Sequence, residues 1–367
     1  MDPVRILQVV PAMGCGGMET FIMNVYRNID RSRVQFDFLC HYARPQFYDR
    51  EIESLGGRIY RLSVREDNDF PRYLRELKAF FRDHPEYRVI HGHYSGFGMF
   101  YNHYAKKYGV ACRIGHSHSE KYEQGLIGQL DRFMSKPFRW GLTDRMACSR
   151  AAGEFLFGRL PFSVYCNGID PERFAFCRES RREIRQRYGL EENAWVVGHV
   201  GRFAPVKNHG FLLEAFARLC RIRPESRLLL VGTGDGEDQA RRQAQELGIR
   251  DRVIFAGGQQ DTWKYYSAFD VFALPSLFEG IPLSLVEAQA GGLPCLASDK
   301  VNRDVNVTGG VQFLPLEPQA WAGSLAGTRE RMEPGRIRSC MAGSGYDIGV
   351  TAAALQDFYL KHYGGSL

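Results

Sequence analysis

Short, almost unbroken apolar runs alternate along the chain with longer stretches in which apolar residues recur at helical spacing. The first kind reads as buried strands of a parallel sheet, the second as amphipathic helices. In the first half the pattern predicts strands over residues 4–10, 35–40, 58–62, 89–93, 112–116 and 145–148. Helices are predicted through Phe21, Ile22, Val25 and Ile29 and over 48–55, 73–81, 97–108 and 127–140. In the second half strands are predicted over 195–201, 228–231, 253–255, 271–274 and 311–314, and helices over 178–187, 209–219, 283 onward, 321–325, 337–341 and 351–362. Such alternation predicts an α/β protein with a mostly parallel sheet in each half, covered on both faces. Turn chemistry at Tyr165-Cys166-Asn167-Gly168-Ile169-Asp170 marks the expected junction. It divides the chain into residues 1–165, residues 166–345, and a closing helix in 346–367 expected to pack back towards the first domain.

The segments after the strands carry the chemistry. Ser276-Leu277-Phe278-Glu279-Gly280-Ile281-Pro282-Leu283-Ser284-Leu285-Val286-Glu287-Ala288 follows the run 271–274 and reads as a turn with Pro282 at a first helical position, then a helix. A strand entering a helix in this way aims backbone N–H groups and the positive helix end at an anion. Glu279 in the turn and Glu287 in the helix can each accept hydrogen bonds from vicinal hydroxyls, a combination that suits a nucleotide sugar. Two solvated acids are the bland alternative. Arg202 and Lys207 lie in one strand-to-helix connection and suit a diphosphate, Arg as a planar fork and Lys as a point charge. Gly232-Thr233-Gly234 and Ala256-Gly257-Gly258-Gln259 are further glycine-rich strand ends, so four of them converge on one rim.

In the first half, Gly14-Cys15-Gly16-Gly17 is another turn able to approach phosphate. Met18-Glu19 stands where the dinucleotide fingerprint wants a further glycine, which argues against a nicotinamide cofactor. Histidines end two strands, His91 with His93 and His116 with His118, and can hydrogen-bond a substrate there. No metal is expected, since neither pair has an acidic third ligand at familiar spacing, and Asp49 and Asp67-Asn68-Asp69 fall in connections. The polar stretch 119–129 reads as a loop that closes over substrate or merely connects elements.

Composition adds the setting. With 367 residues, 44% hydrophobic and 25% charged, the chain is an ordinary globular protein of two domains. The absence of a long apolar run, of signal-peptide features in residues 1–13 and of a CxxC pair among nine cysteines predicts a cytoplasmic protein with reduced thiols. Residues 1–165 hold 24 Lys and Arg against 18 Asp and Glu, so the whole formal charge of +6 lies there. That excess favours an anionic partner, phosphate or a membrane surface, with no nucleic acid expected.

Taken in order, Gly16-Gly17, the HxH strand ending at His118, Asn167-Gly168-Ile169-Asp170, Gly201-Arg202 with Lys207-Asn208, Gly232-Thr233-Gly234, and Glu279 to Glu287 resemble the retaining nucleotide-sugar glycosyltransferases of family 4. This family, glycosyltransferase group 1, is of the kind found in bacterial exopolysaccharide and capsule clusters. The resemblance implies the GT-B architecture, two Rossmann-like domains facing across a cleft, with donor bound mainly by the second and acceptor by the first. It implies that Glu279 meets donor-sugar hydroxyls, Glu287 the ribose, and Arg202 and Lys207 the diphosphate. Gly16 and Gly17 would approach the donor phosphates, His118 would lie near the sugar as a positioning group, and Gly258, Gly280, Ile281, Pro282 and Leu283 would line the donor site. Protein cations then replace a metal, no cofactor beyond the UDP-sugar or related donor is implied, and the acceptor is a glycan or a polyprenyl-linked glycan. Cys166 departs from the family, which usually has proline there. A nucleotide-sugar 2-epimerase, a phosphorylase or a catalytically silent sugar-nucleotide-binding protein would share parts of this pattern. A phosphorylase lacks an identifiable PLP lysine here, and a silent binder would usually have lost one of Arg202, Lys207, Glu279 or Glu287.

Overall fold

The computed structural model describes the chain except residues 1, 15, 64–68, 94–95, 120–134, 136–137, 140, 280, 328–329 and 365–367. One sheet contains β1 (Val4–Val10), β2 (Val34–Cys40), β3 (Ile59–Arg61), β4 (Val89–Gly92), β5 (Cys112–Ser117), β6 (Asp144–Ala147) and β7 (Ser163–Val164), in the order β3-β2-β1-β4-β5-β6-β7. The other contains β8 (Trp195–Val200), β9 (Ser226–Val231), β10 (Val253–Phe255), β11 (Val271–Leu274), β12 (Cys295–Ser298) and β13 (Val311–Leu314), in the order β10-β9-β8-β11-β12-β13. All described pairings are parallel. The sheets belong to two compact units, Met1–Gly168 with Ile348–Leu367, and Ile169–Asp347.

Side chains of β1 alternate between two cores, Ile6 and Val10 on one face and Leu7 and Val9 on the other. The first face is covered by the helix Gly17–Asn28 through Phe21, Ile22 and Val25 and by the last helix, Ile348–Gly364, through Ile348, Ala352, Leu355 and Tyr359. Burial of Leu355, about 1.5–3 kcal/mol for a side chain of that size, is part of what ties the chain's end to the first unit. The opposite face takes the helices Phe70–Asp83 and Gly98–Lys107 through Tyr73, Leu77, Phe81, Tyr101 and Ala105. In the second unit Val197, Leu228, Leu230 and Ala273 pack under the helix His209–Ile222 and Trp321.

Each sheet starts at a central strand, runs out to one edge, and resumes on the other side, so that β4 lies beside β1 and β11 beside β8. Connections leaving β1 and β4, or β8 and β11, diverge to opposite faces and open a crevice at the carboxyl ends of those strands, where ligands bind in such sheets.

Several expectations change. The pattern did not reveal β12 or the helices Arg150–Phe157, Glu237–Glu246 and Thr262–Ala268. Only Ala240 and Ala244 are buried in the second of these, too thin a stripe to register as a period. Neither Asn167 nor Gly168 has positive φ, so this junction is an extended connection and not the tight turn that Asn-Gly suggests. Pro282 caps the helix Leu283–Ala290 from outside, with φ −77 and ψ 86, and is not its first residue. The expected helix over 127–140 and the loop over 119–129 lie largely outside the described residues, as do Asp67-Asn68 and Gly280. No described helix is long and apolar enough to cross a membrane.

Candidate functional site

In the second unit the connections after β8 and β11 are stitched together at the crevice. Leu277 N–H donates to the Val206 carbonyl at 2.8 Å, and Asn208 Nδ2 donates to the Pro275 carbonyl at 3.3 Å. Asn208 joins the short turn Pro205–Lys207 to the helix His209–Ile222 with φ +56, a conformation that asparagine tolerates better than most residues. This turn brings Lys207 Nζ to 2.6 Å from Glu279 Oε1, and Ser276 Oγ donates to the same oxygen at 2.6 Å. The pair is largely shielded, with 18% of the Lys207 side chain and 13% of the Glu279 side chain exposed. Arg202 is exposed, and its side chain has no hydrogen-bond or ion-pair partner among the described residues. One cation is therefore committed to a carboxylate while its neighbour stands free for an anion.

Backbone packing supports this rim. Gly232, at φ +143 after β9, lies so close to the β8 connection that a Cβ on it would sit 2.1 Å from the Gly201 carbonyl oxygen. Phe203 N–H donates to the Thr233 carbonyl at 3.0 Å, which fixes the segment bearing Arg202. Gly258, after β10, is exposed near Thr233, two strands away from β8. Leu283 N–H is committed to the Ile281 carbonyl at 3.0 Å, so not every amide of the Glu279–Glu287 segment is open to an anion.

Glu287 is not on a solvated helical face. It is half-buried, and Tyr266 Oη donates to its Oε2 at 2.5 Å. Burial raises the carboxyl's pKa, against which the Tyr266 hydrogen bond and the charges of Arg173 and Lys207 act. Arg173 comes from the helix Pro171–Phe174, whose N-terminus is capped by Asp170 through the Glu172 and Arg173 amides. Tyr266 escaped the sequence reading because its helix did; a tyrosine in an apolar segment signals only core.

In the first unit Gly16 caps the helix Gly17–Asn28 and is exposed, as is Gly17. The Glu19 carboxylate folds back over Gly16, where a Cβ would lie 2.5 Å from Glu19 Oε2. A phosphate approaching this helix end must displace that carboxylate, a competition that the glycine pattern did not reveal.

The four histidines come together on the face of β4 and β5 covered by Phe21 and Tyr359. His91 Nδ1 meets Tyr359 Oη at 2.6 Å and its Nε2 meets His116 Nδ1 at 3.1 Å. His93 Nε2 meets Gln8 Oε1 at 2.8 Å and its Nδ1 meets His118 Nε2 at 2.8 Å. Burial lowers all four pKa values, to about 3 for His91 and His118 and well below the ordinary range for His93 and His116, so the rings are neutral. His91, His93 and His116 are close enough for their nitrogens to share an ion. Their rings are nonetheless stacked, with interplanar angles of 26°, 10° and 29°. Three of their nitrogens, His91 Nε2, His93 Nδ1 and His116 Nδ1, already face other imidazoles, so the cluster is a hydrogen-bonded stack in this structure.

The basic and aromatic segments 101–108 and 132–140 are the candidates for contact with an anionic membrane surface, and they behave unequally. Lys106 and Lys107 are exposed, whereas Tyr101 is fully buried, its hydroxyl so near Gly92 that a Cβ there would lie 2.1 Å away. Most of residues 132–140 lies outside the described residues. Asp49 is paired with Arg61, and Asp69 caps the helix Phe70–Asp83.

Residues 16–156 match the family model described as a glycosyl transferase 4-like domain, and residues 180–319 the one described as glycosyl transferases group 1. EpsF of Bacillus subtilis (strain 168), a glycosyltransferase by name, is 35% identical over 97% of this chain and 96% of its own. The UDP-Gal:alpha-D-GlcNAc-diphosphoundecaprenol alpha-1,3-galactosyltransferase of Escherichia coli is 29% identical over 80% of this chain and 78% of its own. Among solved structures, a glycosyltransferase from Rickettsia africae ESF-5 matches with a TM-score of 0.76 at 15% identity, covering 100% of both chains. Anabaena HepE in complex with UDP and glucose matches with a TM-score of 0.74 at 19% identity, covering 98% of this chain and 100% of that one. At such identities the likeness is one of fold. The chain belongs to the glycosyltransferase group 1 family, and its two Rossmann-like units are those of the GT-B fold.

Proposed function

We propose that the protein moves a hexose or N-acetylhexosamine from a UDP-sugar to a glycan or polyprenyl-diphosphate-linked glycan of a cell-surface polysaccharide, with retention at the anomeric carbon and without a metal. The observation that carries this reading is the Lys207–Glu279 pair beside the free Arg202 at the crevice between β8 and β11. Transfer develops negative charge on the departing diphosphate and positive charge on the anomeric carbon. Arg202 and Lys207 meet the first, and such preorganised donors contribute several kcal/mol to transition states of this kind. Glu279, held by Lys207 and Ser276, presents its remaining lone pairs to sugar hydroxyls, and Glu287, held by Tyr266, presents its own to the ribose. No carboxylate nucleophile is required, because the departing phosphate oxygen can take the acceptor's proton on the face from which it leaves.

The name of the Escherichia coli relative, a UDP-Gal enzyme acting on a diphosphoundecaprenol-linked sugar, supports the donor and acceptor classes. An acceptor of that kind places the reaction at the inner face of the membrane, and the cation excess of residues 1–165, with Lys106 and Lys107 exposed, suits peripheral attachment there. In this reading the protein is cytoplasmic and binds the anionic surface reversibly. The test is UDP release from a panel of UDP-sugars with and without a polyprenyl-diphosphate-linked acceptor, with the product's anomeric configuration read by NMR. Release that depends on acceptor and gives a retained linkage supports the reading. Inversion, or sugar interconversion at C2 without acceptor, overturns it in favour of another enzyme of the same fold.

A further inference from the structure

We propose that Gln8 and His93 are positioning residues that hold His118 in one tautomer, with Nε2 protonated and Nδ1 a bare acceptor for a sugar hydroxyl. The inference rests on the reading that a sugar is handled beside His118. Gln8 is the one polar residue in the buried stretch of β1, at 1% exposure, and nothing in a core strand demands a polar residue there. Its side-chain oxygen can only accept, so at 2.8 Å it requires a proton on His93 Nε2. His93 is neutral in its buried setting, and its Nδ1 then carries a lone pair. At 2.8 Å that lone pair requires a proton on His118 Nε2. His118 is neutral as well, so its Nδ1 is left as an acceptor. That atom is buried and has no hydrogen-bond partner among the described residues.

An imidazole free to exchange tautomers would offer a donor or an acceptor at Nδ1; fixing it as an acceptor selects a group that donates. A carbohydrate hydroxyl donates readily, whereas a phosphate oxygen does not. The same chain withholds a donor from a phosphate oxygen. His91 and His116 form a second chain, which ends on Tyr359, and the Gln8 amide also reaches the Tyr359 hydroxyl.

The test is long-range proton–nitrogen NMR of protein labelled with 15N-histidine, the rings assigned by loss of signals in His93→Gln and His118→Gln. The wild type is expected to show His118 protonated at Nε2 only. Gln8→Met, which keeps the volume and removes the acceptor, is expected to give His118 as a mixture of tautomers. A proton on His118 Nδ1 in the wild type, or an unaltered His118 in folded Gln8→Met, overturns the proposal; the wild-type spectrum decides even if the variant does not fold. In transfer assays Gln8→Met is expected to lower kcat three- to tenfold with little change in the KM for donor, a split that general loosening of the fold does not produce. UDP-glucose, and not UDP alone, is expected to shift the Nδ1 signal. If both ligands bind and neither moves it, the hydroxyl contact is overturned; if no nucleotide or sugar nucleotide binds at all, the transferase reading fails while the tautomer result stands on its own.

Discussion

Replacing Lys207 by alanine should separate two effects of one cation. Lys207 Nζ and Glu279 Oε1 lie 2.6 Å apart, with 18% and 13% of the two side chains exposed. At an effective dielectric constant of about 20 the gross attraction at that distance is roughly 6 kcal/mol, most of which is offset by desolvation of both groups and by the ordering of two flexible side chains. Without Lys207 the shielded carboxylate keeps, among the described residues, only the Ser276 hydroxyl as a partner. A loss of about 2 kcal/mol is expected, or roughly 4–8 °C in melting temperature for a unit of this size. Transfer should fall at least about tenfold, equivalent to ~1.4 kcal/mol of lost stabilisation of the departing diphosphate. Adding Glu279→Gln removes the stranded charge, so the double variant should regain most of the melting temperature while its turnover stays low. Arg202→Ala is the complementary probe: its side chain is exposed and unpaired among the described residues, so transfer should fall about as much with melting unchanged. Turnover at saturating donor and calorimetric melting on the same samples provide the comparison. Wild-type turnover in Lys207→Ala would refute the diphosphate role, and recovered turnover in the double variant would show that the single variant had acted only through Glu279.

Glu287→Ala should weaken UDP binding by roughly 1.5–3 kcal/mol in titration calorimetry, and unchanged affinity would remove Glu287 from the ribose contact. Because burial raises the Glu287 pKa, its carboxylate is lost on acidification sooner than an ordinary glutamate's; UDP affinity should fall accordingly, and at higher pH still in Tyr266→Phe, where a bond favouring the ionised form is gone. His91, His93, His116 and His118 have folded pKa values below the unfolded value near 6.5. Their contribution to stability is therefore present above that pH and is lost as the pH falls below it, down to about 3 for His91 and His118, by roughly 1.4 kcal/mol per histidine per pH unit. With His199 and His209 the corresponding pair in the second unit, hydrogen exchange between pH 7 and 5 should show the first unit losing protection more steeply, and equal losses would contradict this. Activity should survive EDTA; loss restored by Mg²⁺ or Mn²⁺ would point to a metal-dependent mechanism. Lys106/Lys107→Glu should reduce co-sedimentation with anionic vesicles at low salt, and binding indifferent both to salt and to this variant would sink the membrane reading.

By itself the sequence determined the layered α/β class, since apolar runs flanked by helical periods can bury both faces of a parallel sheet in few other ways. It also marked Glu279, Glu287, Arg202 and Lys207, because charged residues just beyond an apolar strand mark the carboxyl edge of the sheet. Only the tertiary structure decided how these residues pair. The Lys207–Glu279 contact spans two connections brought together by the order β8-β11, which no local period encodes. The Tyr266–Glu287 bond joins two helices, of which the one bearing Tyr266 had no legible amphipathic signal, and the Glu19 carboxylate over Gly16 depends on side-chain direction. The four histidines were visible as strand ends, but their order as two hydrogen-bonded chains needed Gln8 from β1 and Tyr359 from the last helix. Local sequence sets which backbone each segment prefers and which groups it must leave at its ends; which of those groups meet depends on strand order and helix packing, interactions between segments far apart in the chain.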